Sequence, residues 1–515
     1  MGLVSMVLLS CSTLAAASVT TADFNIQRTR ANTSEVILTQ ANVASSFHKK
    51  CTYSVDGYVY GHPLILDGVN FSGVTRVLLI VTMNNSIYAF NANACTTNIW
   101  TVNLGSTYPT DSSAGWYGLG MGILCTPVID TTTNVVYFTT VNSSGVWKLY
   151  ALNIADGSTY HAAVTISATA SSVTFNSATQ AQRPGLALAN GNIYISFGSY
   201  GDLNTWKGWE MAYDKTSLAQ TAAWVSTPTG TDGSIWLAGQ APAIDASGNI
   251  ILATANGTYD GTTNWGDSFI KFNSSLTILD WATPANQSTL NASDIDLGMR
   301  VLLTGAYIMG TGKDGRWWVL NAAAMGKLQG GGGNPAIAQV FQMDINGCDP
   351  SMGAGCMYVG ATFANNVLYS GPVGAKLSAY TWSGSAFTTT PAVQSSSTFA
   401  YPGATPSYSS NGSVSSTEIL WATTVSSSAE STPQAGTLRA FNPATMAEIY
   451  NSDTAGAGAD ALGIFVRFTP PVVINGRVYV GTSNSVVEYS LPDSAYVIPS
   501  NLVGGATVAG GQVVR

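Results

Sequence analysis

Apolar residues in this chain fall into short β-rich runs separated by polar turns, and one phrase recurs. A Pro is followed by a short apolar run, a turn, a strand rich in β-branched residues, a loop, and a strand of aromatic and small residues. Clear copies are Val77 to Thr82 with Ile87 to Asn91 and Trp100; Thr126-Pro127 to Asn153; Arg183-Pro184 to Asp214 and Trp224; and Ala241-Pro242 to Phe272. Weaker copies begin near Val301, Gly360 and Thr405-Pro406, and the last runs from Thr469-Pro470 to Tyr489. That makes about eight units at a spacing of roughly 45 to 65 residues, the signature of propeller blades. A four-stranded blade cannot bury both its faces alone, so the ring must close as one unit. The pattern predicts an all-β chain, a single β-propeller of eight four-stranded blades spanning 19–515 with no internal domain boundary. No stretch of helical length carries a 3.6-residue apolar period, and the glycines from Gly330 to Gly333 are predicted to be a loop.

Composition agrees with short strands and polar turns: 46% of residues are apolar and only 9% charged. The net charge of -8 and the absence of a basic, aromatic-interleaved run argue against nucleic acid as a partner. Residues 1–18 read as a signal peptide, with an apolar segment and small residues near Ala15 to Ala17, although the positive n-region is missing. A lipoprotein signal cleaved before Cys11 is the weaker alternative. No later segment offers a membrane span. The expected location is therefore extracellular, or the periplasm of a bacterium, where some of Cys51, Cys95, Cys125, Cys348 and Cys356 should pair. Cys348 with Cys356 makes the easiest local loop, and the odd thiol is expected to be buried. About nine Asn-x-Ser/Thr triplets, among them Asn32, Asn70, Asn142 and Asn411, are glycan acceptors if the host is eukaryotic.

The strand Ala-Phe/Tyr-Asn/Asp followed by Trp, clearest at Ala89 to Trp100 and Ala212 to Trp224, resembles the tryptophan-docking blade motif of quinoprotein alcohol dehydrogenases. The wording is most similar to secreted proteins built of pyrroloquinoline-quinone repeats, on Val55-Asp56-Gly57, Gln182-Arg183-Pro184-Gly185 and Tyr401 to Pro406. The resemblance covers nearly the whole chain after residue 18 and implies fold more strongly than activity.

It also implies a site. Trp236, in Asp232-Gly233-Ser234-Ile235-Trp236, matches the tryptophan that floors the quinone, and a flat ring suits a flat cofactor. Asn256, in Ala253 to Gly257, matches an Asn that gives its oxygen to calcium. Ser293-Asp294-Ile295-Asp296 matches the stretch that carries the catalytic base, with Asp294 or Asp296 in that role, and two Asp with one residue between them would share a strand face. Lys313, in Gly312-Lys313-Asp314-Gly315, matches the basic residue that contacts the quinone. Arg183 is a candidate for an anion site. The family's calcium-binding Glu falls at Leu203, and only a one-residue slip brings in Asp202; the vicinal cysteine pair is replaced by a lone Cys125.

Two functions compete. One is a dehydrogenase using pyrroloquinoline quinone and Ca2+ on an alcohol or sugar hydroxyl, with Asp202, Asn256 and Asp296 around the ion and a separate electron acceptor, since no haem motif is present. The other is a non-catalytic secreted propeller that binds a glycan or protein ligand. A hydrolytic site is disfavoured, because His48, His62 and His161 lie in no nucleophile or zinc pattern, and carboxylate-only glycosidase or lyase chemistry is a minor option. Convergence of Asp202, Asn256 and Asp296 within metal-ligand reach near Trp236 would favour the first; Asp296 paired to backbone on the rim would favour the second.

Overall fold

Eight antiparallel sheets follow one another along the chain, each stepping from a buried strand to an exposed one. The computed structural model describes residues 18–110, 119–202, 205–329, 337–346, 348 and 355–493. Blades 1 to 7 span 64–103, 128–165, 187–225, 243–284, 300–342, 361–398 and 405–451. Blade 8 is composite: Val472–Ile474, Arg477–Gly481 and Ser485–Ser490 come from the end of the described chain, and the outer strand is His48–Ser54, from near its start. The ring is thus closed by hydrogen bonds between distant parts of the chain. A disulfide from Cys51 in that outer strand to Cys95 in blade 1 fastens the seam. Cys348 pairs with Cys356, and Cys125 is free and buried. The expected signal segment lies outside the described residues except for Ser18, and the Gly330 to Gly333 loop lies outside them entirely.

The chain is nearly all β because β-branched and aromatic residues fill the inner faces while Asn, Asp and Gly supply the turns. The two described α-helices, Gln40–Ser46 and Gln287–Ala292, are each shorter than two turns. The repeated tryptophans join blades. The indole of Trp100, on the outer strand of blade 1, donates to the carbonyl of Ile154 in blade 2, 2.8 Å away. It lies so close to Gly157 that a Cβ there would be 2.7 Å from the ring. Trp224, on blade 3, packs edge-on to Phe272 of blade 4 with ring centroids 4.9 Å apart.

Residues 19–32 visit the inner strand of almost every blade in order. Backbone or side-chain hydrogen bonds join Val19 to Ile65, Thr20 to Ile129, Ile26 to Ile244, Gln27 to Leu303, Thr29 to Phe363, Arg30 to Tyr408 and Asn32 to Val473. At blade 3, Ala22 packs beside Gly185. This girdle has no apolar periodicity of its own, and the repeat pattern gave no sign of it. Asn32 is 2% exposed, and its amide is committed to Val473, so this triplet is closed to a glycan in the folded protein. Asn70 is exposed, and Asn142 and Asn411 are half-buried.

Candidate active site

The loops that lead into the inner strands of blades 3 to 8 all end at one axial opening. They bring Arg183, Trp236, Asp296, Tyr358, Tyr401, Arg467 and Phe468 together, and the turns between middle strands add Asp202 from blade 3 and Lys313 from blade 5. These side chains line a cavity of about 240 Å³. A second cavity of about 250 Å³ adjoins it; it shares Asp202, Trp236 and Asp296 and adds Trp206, Asp232, Asn256 and Asp294. Arg183, Asp202, Trp236, Asn256, Asp294, Asp296 and Lys313, separate in sequence, therefore meet in one place.

Trp236 is held by its backing. The chain beyond it passes through left-handed Leu237 and Ala238, with φ of 47° and 45°. Gly198 lies behind the ring, where a Cβ would be 2.9 Å from the indole. The Arg183 guanidinium lies 4.3 Å from the Phe468 ring centroid and 5.7 Å from that of Trp236, a cation–π arrangement. Burial, with repulsion from Arg467, lowers the Arg183 pKa to about 10, which leaves it charged at neutral pH.

Lys313 Nζ lies 2.7 Å from Asp296 Oδ2 and 3.2 Å from Asp294 Oδ1. Burial works against its charge, but the two carboxylates outweigh burial and hold its pKa above the usual lysine range. Its backbone is gripped on both sides: its N–H donates to Asp296 O at 2.7 Å, and its carbonyl accepts from Cys356 N at 2.7 Å, so the Cys348–Cys356 disulfide stands directly behind it.

The expectation that Asp294 and Asp296 share a strand face is corrected. They follow the short helix Gln287–Ala292 in a turn, with Asp294 at φ 55°. The reversal leaves the Asp294 side chain 69% exposed and the Asp296 side chain 8% exposed. They still converge, because Lys313 reaches both.

Asn256 donates from Nδ2 to Asp294 Oδ1 at 2.9 Å, and its N–H donates to Asp296 Oδ1 at 3.1 Å. Its own Oδ1 is buried with no hydrogen-bond partner. Asp202 accepts from Ser199 Oγ; loss of hydration, together with the charges of Asp296 and Asp294, raises its pKa. Leu203, where the family's Glu would fall, lies outside the described residues. Among the described residues, no cluster of three or more His, Cys, Asp or Glu side chains is placed to hold a metal ion.

Several residues escaped the sequence reading. Asp267, fully buried, accepts from Leu297 N and Gln287 Nε2; burial first, and the charge of Asp296 second, push its pKa well up. Tyr358, Tyr401, Arg467 and Phe468 sit a few residues before the inner strands of their blades, as Arg183 does before its own. That shared repeat position was the available signal.

No family model and no curated protein sequence matches the chain. Solved structures do match in fold. Quinohemoprotein alcohol dehydrogenase from Comamonas testosteroni superposes with a TM-score of 0.61 at 14% identity, covering 97% of this chain and 82% of that one. A europium-containing methanol dehydrogenase gives 0.58 at 11% identity over 92% of this chain and 98% of that one. BamB from Moraxella catarrhalis gives 0.53 at 11% identity over 86% of this chain and all of that one. At these identities the likeness is one of fold: this chain is an eight-bladed propeller of the architecture found in quinoprotein dehydrogenases and in BamB.

Proposed function

We propose that this protein is a dehydrogenase dependent on pyrroloquinoline quinone and Ca2+ that acts on a small alcohol or a sugar hydroxyl. The observation that carries this reading is the buried, unpartnered Oδ1 of Asn256 at the cavity shared by Asp202, Asp296 and Trp236. An amide oxygen with two carboxylates is a hard-oxygen donor set that suits calcium better than a transition metal.

Asp202, Asn256 and Asp296 would hold the ion. Trp236 would stack on the ring system, while Arg183, Arg467 and Lys313 would meet its carboxylates. When bound, the quinone with its ion supplies an acceptor for the hydride leaving the hydroxyl carbon. The chain's own part is the proton: Asp296, fixed in orientation by Lys313, takes it from the substrate hydroxyl, and exposed Asp294 stands ready to relay it to water. Electrons would then pass to a separate acceptor. The two disulfides support an oxidising compartment, in keeping with secretion or a periplasmic location.

A second reading, a binding propeller without redox chemistry, draws support from the Lys313 ammonium. It already supplies positive charge beside Asp296 at the place where a cation would sit. Calorimetry of the purified protein with the quinone and Ca2+, with Lys313→Ala and Trp236→Ala alongside, separates the two. Saturable calcium-dependent binding weakened by both substitutions supports the dehydrogenase; no binding at micromolar quinone overturns it and leaves a glycan or protein ligand to be sought.

A further inference from the structure

At the girdle, a cluster of charges is buried on the axis. Arg28, Arg30 and Arg300 are each 3% exposed or less, and the carboxylate that contacts the group is Asp23. Asp23 Oδ1 binds Arg30 Nε at 2.6 Å and its Oδ2 binds Arg300 Nη1 at 3.1 Å. Arg28 spends its bonds on neutral oxygens, those of Pro242, Thr21, Ala22 and Asn25. Three guanidinium charges thus face one carboxylate where water does not reach, and an excess of buried charge is costly without a counter-charge.

Beside Asp23 lies His62, 2% exposed. Its Nδ1 accepts from the Asp23 N–H at 3.2 Å, so the neutral ring carries its proton on Nε2, and that Nε2 is buried without a hydrogen-bond partner. Ser407 Oγ is also buried and unpartnered. His62, Ser407, Arg30 and Asn32 line one small cavity of about 20 Å³. That is room for a single water-sized species. Asp23 lines it too, but both of its oxygens are occupied by guanidinium groups, and Asn32 Oδ1 accepts from Ser34 N. The walls therefore offer two unpartnered groups, the His62 ring N–H and the Ser407 hydroxyl, beside excess positive charge. A water could bond to these groups but would leave the surplus positive charge uncompensated; a monovalent anion does both.

We infer that the axial cavity between His62, Ser407 and Arg30 is a binding site for a halide-sized anion, chloride in practice, which neutralises the buried arginine cluster and locks residues 19–32 into the ring. Its lining shares no residue with the cavity at Trp236.

The test uses the whole protein exchanged into sodium gluconate. Sodium chloride at equal ionic strength is expected to raise the melting temperature by about 1 to 2 °C for each tenfold rise in concentration above the dissociation constant. Crystals soaked in bromide should give an anomalous peak in this cavity. Ser407→Ala, which removes one donor and little volume, should still melt cooperatively in gluconate but show a smaller chloride-dependent gain. No bromide peak in the cavity, or a chloride gain unchanged by Ser407→Ala, overturns the inference.

Discussion

Lys313 Nζ lies 2.7 Å from Asp296 Oδ2, and the two side chains are 13% and 8% exposed, so the pair is almost sealed from water. One ammonium also reaches the exposed carboxylate of Asp294. The pair is therefore both a strut of the site and the group on which proton transfer would depend.

Replacing Lys313 by Ala strands the Asp296 carboxylate without its cation. Breaking one side of such a buried pair is expected to cost about 3 kcal/mol of stability, read by urea denaturation. A loss within about 0.5 kcal/mol would mean that the pair behaves like a surface ion pair.

Asn256→Ala removes the unpartnered buried oxygen and also the amide that donates to Asp294. If Oδ1 serves a cation, calcium affinity should fall about tenfold or more, while the calcium-free protein unfolds close to the wild-type midpoint. Calcium titration followed by calorimetry checks this, and an unchanged affinity would remove Asn256 from the ligand set.

Gly157→Ala should weaken the docking of blade 1 on blade 2. The position has φ 72°, and the new Cβ would meet the Trp100 ring at 2.7 Å. Strain and overpacking together predict a loss of about 2 kcal/mol. The contact between Gly157 and Trp100 is the cause only if the double variant with Trp100→Ala is less than additive, which a double-mutant cycle measures.

Glu210 lies wholly buried on blade 3; Ser196 Oγ donates to its Oε2, and its Oε1 has no partner. Burial pushes its pKa up to about 8. Because the folded state holds this proton more tightly than the unfolded chain, its contribution is full below the unfolded carboxylate pKa and is lost as pH rises through about 8. Glu210→Gln should flatten the decline in stability between pH 5 and pH 8 and raise the melting temperature at the alkaline end. An identical pH profile in the variant would show that the carboxyl does not titrate in this range.

Cys95→Ser opens the covalent seam between blades 8 and 1. The bridge closes a separation of 44 residues, and loop-closure entropy predicts a loss of about 4 kcal/mol. Equilibrium unfolding under non-reducing conditions reads it; a loss near zero would show that the hydrogen bonds of the His48–Ser54 strand close the ring by themselves.

The repeat was written in the sequence because each blade solves the same local problem. Alternation, turn residues and a docking Trp recur wherever a small sheet must bury one face on the next, so eight units and their boundaries near 300, 361, 405 and 472 could be read without coordinates. That Trp236, Asn256, Asp296 and Lys313 would lie close together was legible because the short motifs around them resemble those of one family. Ring closure decided the rest. Only the closed ring sets Arg467 and Phe468 of blade 8 beside Arg183 of blade 3, places exposed Asp294 and buried Asp296 on one lysine, and passes residues 19–32 along the inner strands to leave three arginines around Asp23. Local pattern fixes which face of a strand is buried; it carries no information on which distant loops a circle of eight sheets brings to its axis.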